Sequence, residues 1–462
     1  MLEIVMEQKT KQLAFNFEPK GEAPRDSVKG TQTNPTPLTE TLTPSLIEAV
    51  VSRDNMRAAY KRVMSNKGAP GVDGLTVNEL GAYLKDNWPL VKQQLLDGTY
   101  IPQPVKRVTI PKPTGGVRDL GIPTVVDRLI QQALSQVLTP IFDPTFSSSS
   151  YGFRPGKSAH QALKAARKYV SDGKTWVVDI DLEQFFDRVN HDLLMGRVAR
   201  KIKDKRVLKL IRAYLNAGVM DNGVKVRSEV GTPQGGPLSP LLANILLDDL
   251  DKELEKRGHS FCRYADDCNI YVASQRAGER VMASVTDFVE HKLKLQVNQK
   301  KSAVGGSNER KFLGLRVIAS EEPYISIAPQ SLKRFKKKIR SLTKRNRGVS
   351  LDKVIEDVNR YCKGWIHYFG IAKAKSIAQE LDSWIRRRLR CYIWKQWKTW
   401  RCRVDHMLKA GVSPRLAYGI ATGKHGPWKV SLTQAMTIAA PNATLESLGY
   451  ESIYENYMAL SY

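Results

Sequence analysis

CRYADDCNIY, residues 262–271, sets two acidic side chains next to each other in a stretch that otherwise reads as buried strand. Phe261, Tyr264, Ile270, Tyr271 and Val272 are the aromatic and β-branched residues that strands favour. Adjacent carboxylates repel, and burying them without a counter-charge costs several kcal/mol or forces protonation. Taken alone, Ala-Asp-Asp is an ordinary turn, because Asp is common in turns. Here both flanks are strand-like, which predicts a tight hairpin that presents Asp266 and Asp267 rigidly from a sheet.

A second acidic segment lies upstream, DIDLEQFFDRVNHD at 179–192, at the end of a predicted strand over 175–182. Strand alternation puts Asp179 and Asp181 on one face, opposite Val178 and Ile180. A carboxylate at that strand end, brought beside the hairpin pair, makes the oxygen-rich site that Mg²⁺ requires. Two such ions clamp the attacking and leaving oxygens of a phosphoryl displacement. Divalent metal is therefore what the sequence offers to neutralise its paired aspartates.

Bulk properties agree with a polyanionic partner. The 462 residues suffice for two to four domains, and a hydrophobic share of 42% is that of a globular chain. Seventy-three Lys and Arg against forty-six Asp and Glu give a formal charge of +27. Nucleic acid fits that excess through counterion release, although membrane surfaces and ribosomes select the same bias. No apolar run reaches the roughly 18 residues of a membrane span, and the first residues lack a signal-peptide core. Five cysteines without a CxxC pair indicate neither a disulfide framework nor a zinc site. The expected setting is cytoplasmic, with no membrane partner.

Residues 1–45, rich in Pro, Thr and Ser over 18–45, read as a flexible arm. Helical pattern starts near Leu46 and meets the Gly-rich NKGAPGVDG (66–74). Residues 101–123 read as two short strands joined at Thr114-Gly115-Gly116. Helices are expected over 125–139 and 158–171, around the loop FDPTFSSSSYGFRPGKS (142–158). The alternation suggests an α+β domain ending near Val317. Beyond Ile327 the character changes: SLKRFKKKIRSLTKRNR (331–347) has nine basic residues and no acidic one. A helical bundle with basic outer faces is expected to about residue 403, then a small, mostly helical module over 404–462.

With these motifs in order and correctly spaced, the chain resembles the reverse transcriptase/maturase encoded by bacterial group II introns, from about Asn66 to near the C-terminus. The resemblance implies a right-hand polymerase fold: fingers and palm over 46–317, an α-helical thumb or maturase-specific domain over 318–403, and a DNA-binding-like module over 404–462. It makes Asp181 the first palm aspartate, since Phe186 follows where the family has its aromatic steric gate. Asp179 and Phe185 are the alternatives for those two roles. Asp266 and Asp267 become the second and third carboxylates, with the Leu182 carbonyl also facing the metal. Lys112 and Arg118, in IPKPTGGVR (110–118), would hold the incoming triphosphate, Arg as a bidentate fork and Lys as a compact charge. A solvated hairpin is the plainer reading of that pair. In GTPQGGPLSPLLANILLDDLD (231–251), Gln234 would lie against nucleotide and template, and Gly235 would let backbone approach closely. Lys301, in LKLQVNQKKSAV (293–304), would sit near the triphosphate, with Lys300 competing for the role. FLG at 312–314 matches the turn that grips the primer.

NRYCKGWIHYFG (359–370) resembles the maturase-specific region. Downstream, WIRRRLRCYIWKQWKTWRCR (384–403) carries eight Lys/Arg and four Trp, so Arg386, Arg387 and Arg388 are candidate RNA contacts and the tryptophans candidate stacking platforms. The alternative is an amphipathic helix whose core stripe is Leu381, Ile385, Leu389 and Tyr392. The sequence shows no C-terminal Cys pair, and His406 and His425 lack partner spacing for a nuclease site. That departure resembles the class C type without an endonuclease. The implied function is RNA-directed DNA polymerisation from deoxynucleoside triphosphates with two Mg²⁺, extending a DNA or RNA primer on an RNA template. Group II intron RNA and target DNA are the implied partners, for splicing and retrohoming in a bacterial cytoplasm. Rival readings are a domesticated reverse transcriptase without an intron, serving defence or repair, and an RNA-binding splicing factor with a vestigial polymerase.

Overall fold

The computed structural model describes residues 46–111, 117–221, 224–226 and 235–460. The arm expected over 1–45, the turn at 114–116, Lys112, Gln234 and the side chain of Arg118 lie outside the described residues. The chain forms two compact units, one ending at Gly305 and one running from Gly306 to Tyr462.

The first unit is α+β. Strands β1 (Val105–Pro111) and β2 (Val117–Ile122) pair antiparallel, as the 101–123 pattern predicts, and β1 also runs parallel to β4 (Val219–Asp221), which pairs β5 (Val224–Val226). The second sheet has the order β6-β7-β3-β8, from β3 (Trp176–Ile180), β6 (Ser260–Tyr264), β7 (Asp267–Val272) and β8 (Ala303–Gly306). Helices α3 (Ala159–Ser171), α4 (Ser239–Lys256) and α5 (Gln275–His291) pack on this sheet, α1 (Arg53–Asn66) packs on α2 (Val125–Phe142), which meets α4, and an apolar core runs through the unit. Local chemistry fixes their starts. The Thr124 hydroxyl accepts from the Asp127 amide to cap α2, and Ser158 with Gln161 makes a reciprocal capping box on α3.

Helix α4 is apolar along its first half and charged toward its C-terminal end, where Lys252, Glu255 and Lys256 are exposed. Leu241, Leu242, Ile245, Leu246, Leu247, Leu250 and Leu254 are all buried, so the first half of this helix is interior.

In the second unit, β9 (Leu315–Ile318) and β10 (Tyr324–Ile327) form a hairpin. It precedes α6 (Pro329–Leu342), α7 (Leu351–Phe369) and α8 (Lys375–Gln396), then α9 (Trp400–Lys409) and further short helices. Helix α6 buries Phe335, Ile339 and Leu342 and exposes Lys333, Arg334 and Lys337 on the other side. The core stripe of α8 is the predicted one, since Leu381, Ile385, Leu389 and Tyr392 are all buried.

Candidate active site

Strands β6 and β7 are joined by the two-residue turn Ala265-Asp266, closed by the Tyr264–Asp267 pair. Ala265 has φ +58°, and the only positive φ of the turn is at its first central position. Two-residue turns of that type favour Gly there, because a Cβ is strained in the left-handed region. Asp266 is half-buried at the tip and Asp267 is exposed at the first position of β7.

Register then fixes what lies beside them. Strand β3 runs antiparallel to β7 with Asp179 opposite Asn269 and Ile180 opposite Cys268. Continuing that register by one residue, just past the end of β3, sets Asp181 level with Asp267. Asp179 instead lies within the ladder opposite Asn269, whose side-chain amide donates to its Oδ1 at 3.2 Å when the amide nitrogen is turned toward it. Asp181 is thus the strand-end carboxylate.

The backbone around Asp181 is tied on its other side. Its N–H donates to the Ser302 hydroxyl at 3.0 Å, and its carbonyl accepts from the Asn298 N–H at 2.8 Å. Glu183 N–H donates to the Gln296 carbonyl at 2.8 Å, so residues 181 and 183 make the bonds that flank the Leu182–Val297 bridge. In such an antiparallel pair the central residue's own N–H and C=O point away from the partner segment. The Leu182 carbonyl is therefore turned away from Val297.

Lys301 reaches this cluster. Its Nζ lies 3.1 and 3.3 Å from the two Asp181 carboxylate oxygens, with the lysine side chain 64% exposed and the aspartate 28%. A cation stands against Asp181. Among the described residues, no group of three or more His, Cys, Asp or Glu side chains is arranged to hold a metal ion. The donor set at these strand ends is nonetheless all hard oxygen, which suits Mg²⁺.

Phe185 and Phe186 pack edge to face at 5.1 Å between ring centroids, but Phe185 is buried in the core while Phe186 is half-buried. Gly235 has φ +125°, and a Cβ there would lie 2.6 Å from the Gly121 carbonyl oxygen. At Gly236 a Cβ would meet Gln131 Oε1 at 2.2 Å. The left-handed φ and the backbone contact at Gly235 require glycine for this segment to close on β2, whereas the contact at Gly236 is with the end of the Gln131 side chain.

One buried network under the turn was not foreseen from the sequence. Arg263, fully buried in β6, donates to Asp251 through Nε at 2.6 Å and Nη2 at 2.5 Å. It also donates to Asn244 Oδ1, the Ala265 carbonyl and Ser150 Oγ. Burial pushes the guanidinium pKa down, but Asp251 more than offsets this and the net direction is up. An arginine inside the apolar FCRYA was the available signal, since Arg is almost never fully buried unless paired.

The arginines expected to face RNA are engaged within the second unit. Arg386 forms ion pairs with Asp382 and Glu446, its side chain only 12% exposed. Arg387 lies 3.5 Å above the Trp428 ring centroid and donates to that residue's carbonyl at 2.8 Å. Arg388 donates to Thr343 Oγ1, and burial pushes its pKa down. Arg386, Arg387 and Arg388, read from the sequence as candidate RNA contacts, are thus each held by partners within the second unit. Of the four tryptophans, Trp394 is buried, Trp397 stacks on His406 with rings 4.8 Å apart, and Trp400 stays 45% exposed.

The chain matches the family described as reverse transcriptase (RNA-dependent DNA polymerase) over residues 110–317, and the group II intron maturase-specific domain over residues 332–411. It is 34% identical over 331 residues to protein YkfC of Escherichia coli strain K12, spanning 62% of this chain and 87% of that protein. It is 43% identical over 195 residues to group II intron-encoded protein LtrA of Lactococcus lactis subsp. cremoris, covering 42% of this chain and 32% of LtrA. A 91 kDa protein in the cob intron of Schizosaccharomyces pombe is 37% identical over 212 residues, covering 46% of this chain and 26% of that protein. The chain thus spans about a third or less of the two intron-encoded relatives. It belongs to the reverse transcriptases that carry a group II intron maturase domain, and its enzymatic class is RNA-directed DNA polymerase.

Proposed function

We propose that Asp181, Asp266 and Asp267, with the Leu182 carbonyl, hold two Mg²⁺ ions for nucleotidyl transfer in reverse transcription. The observation that carries this is the β3–β7 register, which brings the Asp181 strand end beside the Asp266-Asp267 hairpin with a cation already against it. When bound, the ions would align and neutralise the attacking 3′-oxygen and the leaving pyrophosphate oxygen. The protein's own groups do the rest. Lys301 is on an exposed ion pair worth about 1 kcal/mol or less, so its ammonium can leave Asp181 for the triphosphate of a bound deoxynucleotide. Phe186 stands where a ribose 2′-hydroxyl would need room, and Lys112, Arg118, Gln234 and the Gly235 backbone complete the nucleotide contacts.

The maturase-domain match supports a second role for the same chain, binding group II intron RNA for splicing and retrohoming into target DNA. For that grip the exposed side of α6, with Lys333, Arg334 and Lys337, is a better phosphate-binding surface than the engaged Arg386–Arg388 run.

Asp266→Asn and Asp267→Asn test the assignment. Each is expected to abolish cDNA synthesis while intron RNA affinity stays near wild type, since the carboxylates serve metal and affinity comes from basic faces. Primer extension within a few fold of wild type in both variants would overturn the site.

A further inference from the structure

The turn that carries Asp266 is gripped from beneath by a side chain with no assigned contact to metal or substrate. All five N–H donors of the Arg263 guanidinium find acceptors: two on Asp251, and one each on Asn244 Oδ1, Ser150 Oγ and the Ala265 carbonyl. Three separate segments are thereby tied at one point: helix α4 through Asn244 and Asp251, the loop 147–154 through Ser150, and the turn through Ala265. The main chain of Arg263 adds two more ties to that loop, donating to the Ser149 carbonyl at 2.9 Å and accepting from the Tyr151 N–H at 2.8 Å. Asn244 closes the ring by donating from Nδ2 to the Gly152 carbonyl at 2.9 Å.

The geometry at Ala265 says why such a grip is needed. A non-glycine residue at φ +58° is strained by about 1 kcal/mol or more and persists only where its surroundings over-determine it. On the loop side, Phe153 is also held at φ +57°. Its neighbour Gly152 lies so close to the turn that a Cβ would be 2.3 Å from the Ala265 nitrogen. The Ala265 carbonyl belongs to the peptide that leads directly into Asp266. Fixing it fixes the direction in which Asp266 leaves the turn.

We propose that Arg263, held by Asp251 and Asn244, is the positioning residue of the catalytic turn, setting the aim of Asp266 and Asp267 for metal. This rests on the assignment of those aspartates as metal-holding groups. The alternative is that the pair merely stabilises the fold, as any buried ion pair does when one partner is removed. The two differ in what they move. A strut changes the folded fraction, whereas a positioning group changes metal affinity and rate constant in molecules that are fully folded. Groups that orient metal ligands contribute about 10- to 100-fold in affinity or activity.

The test uses the full chain and three variants. Arg263→Lys keeps the charge opposite Asp251 but has one nitrogen with three donors, and cannot span Asp251, Asn244, Ser150 and Ala265 together. Asn244→Ala removes the acceptor that shares Nη1 with Ala265. Ser150→Ala removes one bond on the loop side and leaves Ala265 held. Mn²⁺ binding is read by electron paramagnetic resonance on protein without nucleic acid, and single-turnover nucleotide addition is titrated with Mg²⁺, both well below the unfolding midpoint of each variant. Arg263→Lys and Asn244→Ala are expected to weaken Mn²⁺ binding and raise the half-saturating Mg²⁺ concentration about 10-fold, with Ser150→Ala within two-fold of wild type. Should Arg263→Lys fail to fold, Asn244→Ala decides between the two roles. Unchanged metal affinity and rate constant in folded Asn244→Ala, with Asp266→Asn inactive, would overturn the positioning role alone. An active Asp266→Asn would overturn the site itself.

Discussion

Replacing Gly152 by alanine places one methyl group into the contact between loop 147–154 and the Ala265-Asp266 turn. The backbone of Gly152 is outside the left-handed region, so alanine costs nothing in φ, and the whole effect is steric. The new Cβ would stand 2.3 Å from the Ala265 nitrogen and 2.9 Å from the Tyr264 carbonyl carbon. Ordinary van der Waals contact starts near 3.4 Å, so the two backbones must part by about 1 Å. Neither side yields freely. The loop is pinned by Arg154, which donates to the Asp143 carboxylate at 2.7 Å and to the Asp143 and Ser150 carbonyls, and the turn is pinned by Arg263. A misplacement of about 1 Å at reacting groups costs about 100-fold in rate, or about 2.7 kcal/mol of transition-state stabilisation. Overpacking should also lower stability by about 1–3 kcal/mol. The assay is single-nucleotide primer extension at saturating deoxynucleotide, with thermal unfolding and RNA affinity measured on the same preparations. Gly196→Ala, at a helical glycine with nothing within 4 Å of the added Cβ, is the matched control and should leave kcat unchanged. A Gly152→Ala protein that is folded and retains kcat within three-fold of wild type would refute the claim that this contact sets the turn.

Three further outcomes are expected. Phe186→Ala should raise ribonucleotide incorporation relative to deoxynucleotide, measured by paired primer extension; unchanged selectivity would place the gate elsewhere, although the burial of Phe185 argues against that neighbour. Exchanging Lys333, Arg334 and Lys337 together for Gln should flatten the dependence of log intron affinity on log salt by about 2 to 3 units, at 0.7–0.9 per lost phosphate contact. Asp249 is pushed up by burial, but Arg200 and Arg197 bring it net below its ordinary 3.8, so its stabilisation is complete above that value and lost as pH falls through the lower folded one. The thermal advantage of wild type over Asp249→Asn should therefore hold at neutral pH and shrink as pH falls below about 3.8, and a constant difference through that range would rule out this contribution.

The parts of the site legible in the sequence are those whose signal is local. A strand-like run interrupted by two aspartates can only be a hairpin, and β6 and β7 flank the turn as expected. Alternation put Asp179 and Asp181 on one face but did not separate them; the ladder does, because β3 ends at Ile180 and leaves Asp179 opposite Asn269. What stayed hidden are side-chain pairings across distance. Arg386, Arg387 and Arg388 read as an open basic face because their partners Glu446, Trp428 and Thr343 lie 40 or more residues away. Asp251 likewise reads as part of an acidic helix end, LLDDLD, until β6 brings Arg263 against it.

The placement of charge around the turn follows one logic. On the proposed assignment, two adjacent aspartates that hold cations cannot have a permanent counter-charge beside them, because it would compete with metal for the same oxygens. Lys301 stands against Asp181 rather than against that pair, and it is exposed, single-nitrogen and weakly held, so it can be displaced. Arg263 is also close in sequence, but its charge is cancelled by Asp251 in a bidentate pair and its remaining donors are taken up by neutral acceptors. A neutralised, fully bonded arginine contributes direction rather than field. It can therefore hold the Ala265 carbonyl rigidly without lowering the affinity of Asp266 and Asp267 for a cation. Removing Asp251 alone should accordingly harm the site in a different way from removing Arg263, since it would leave an uncompensated positive charge beneath the carboxylates.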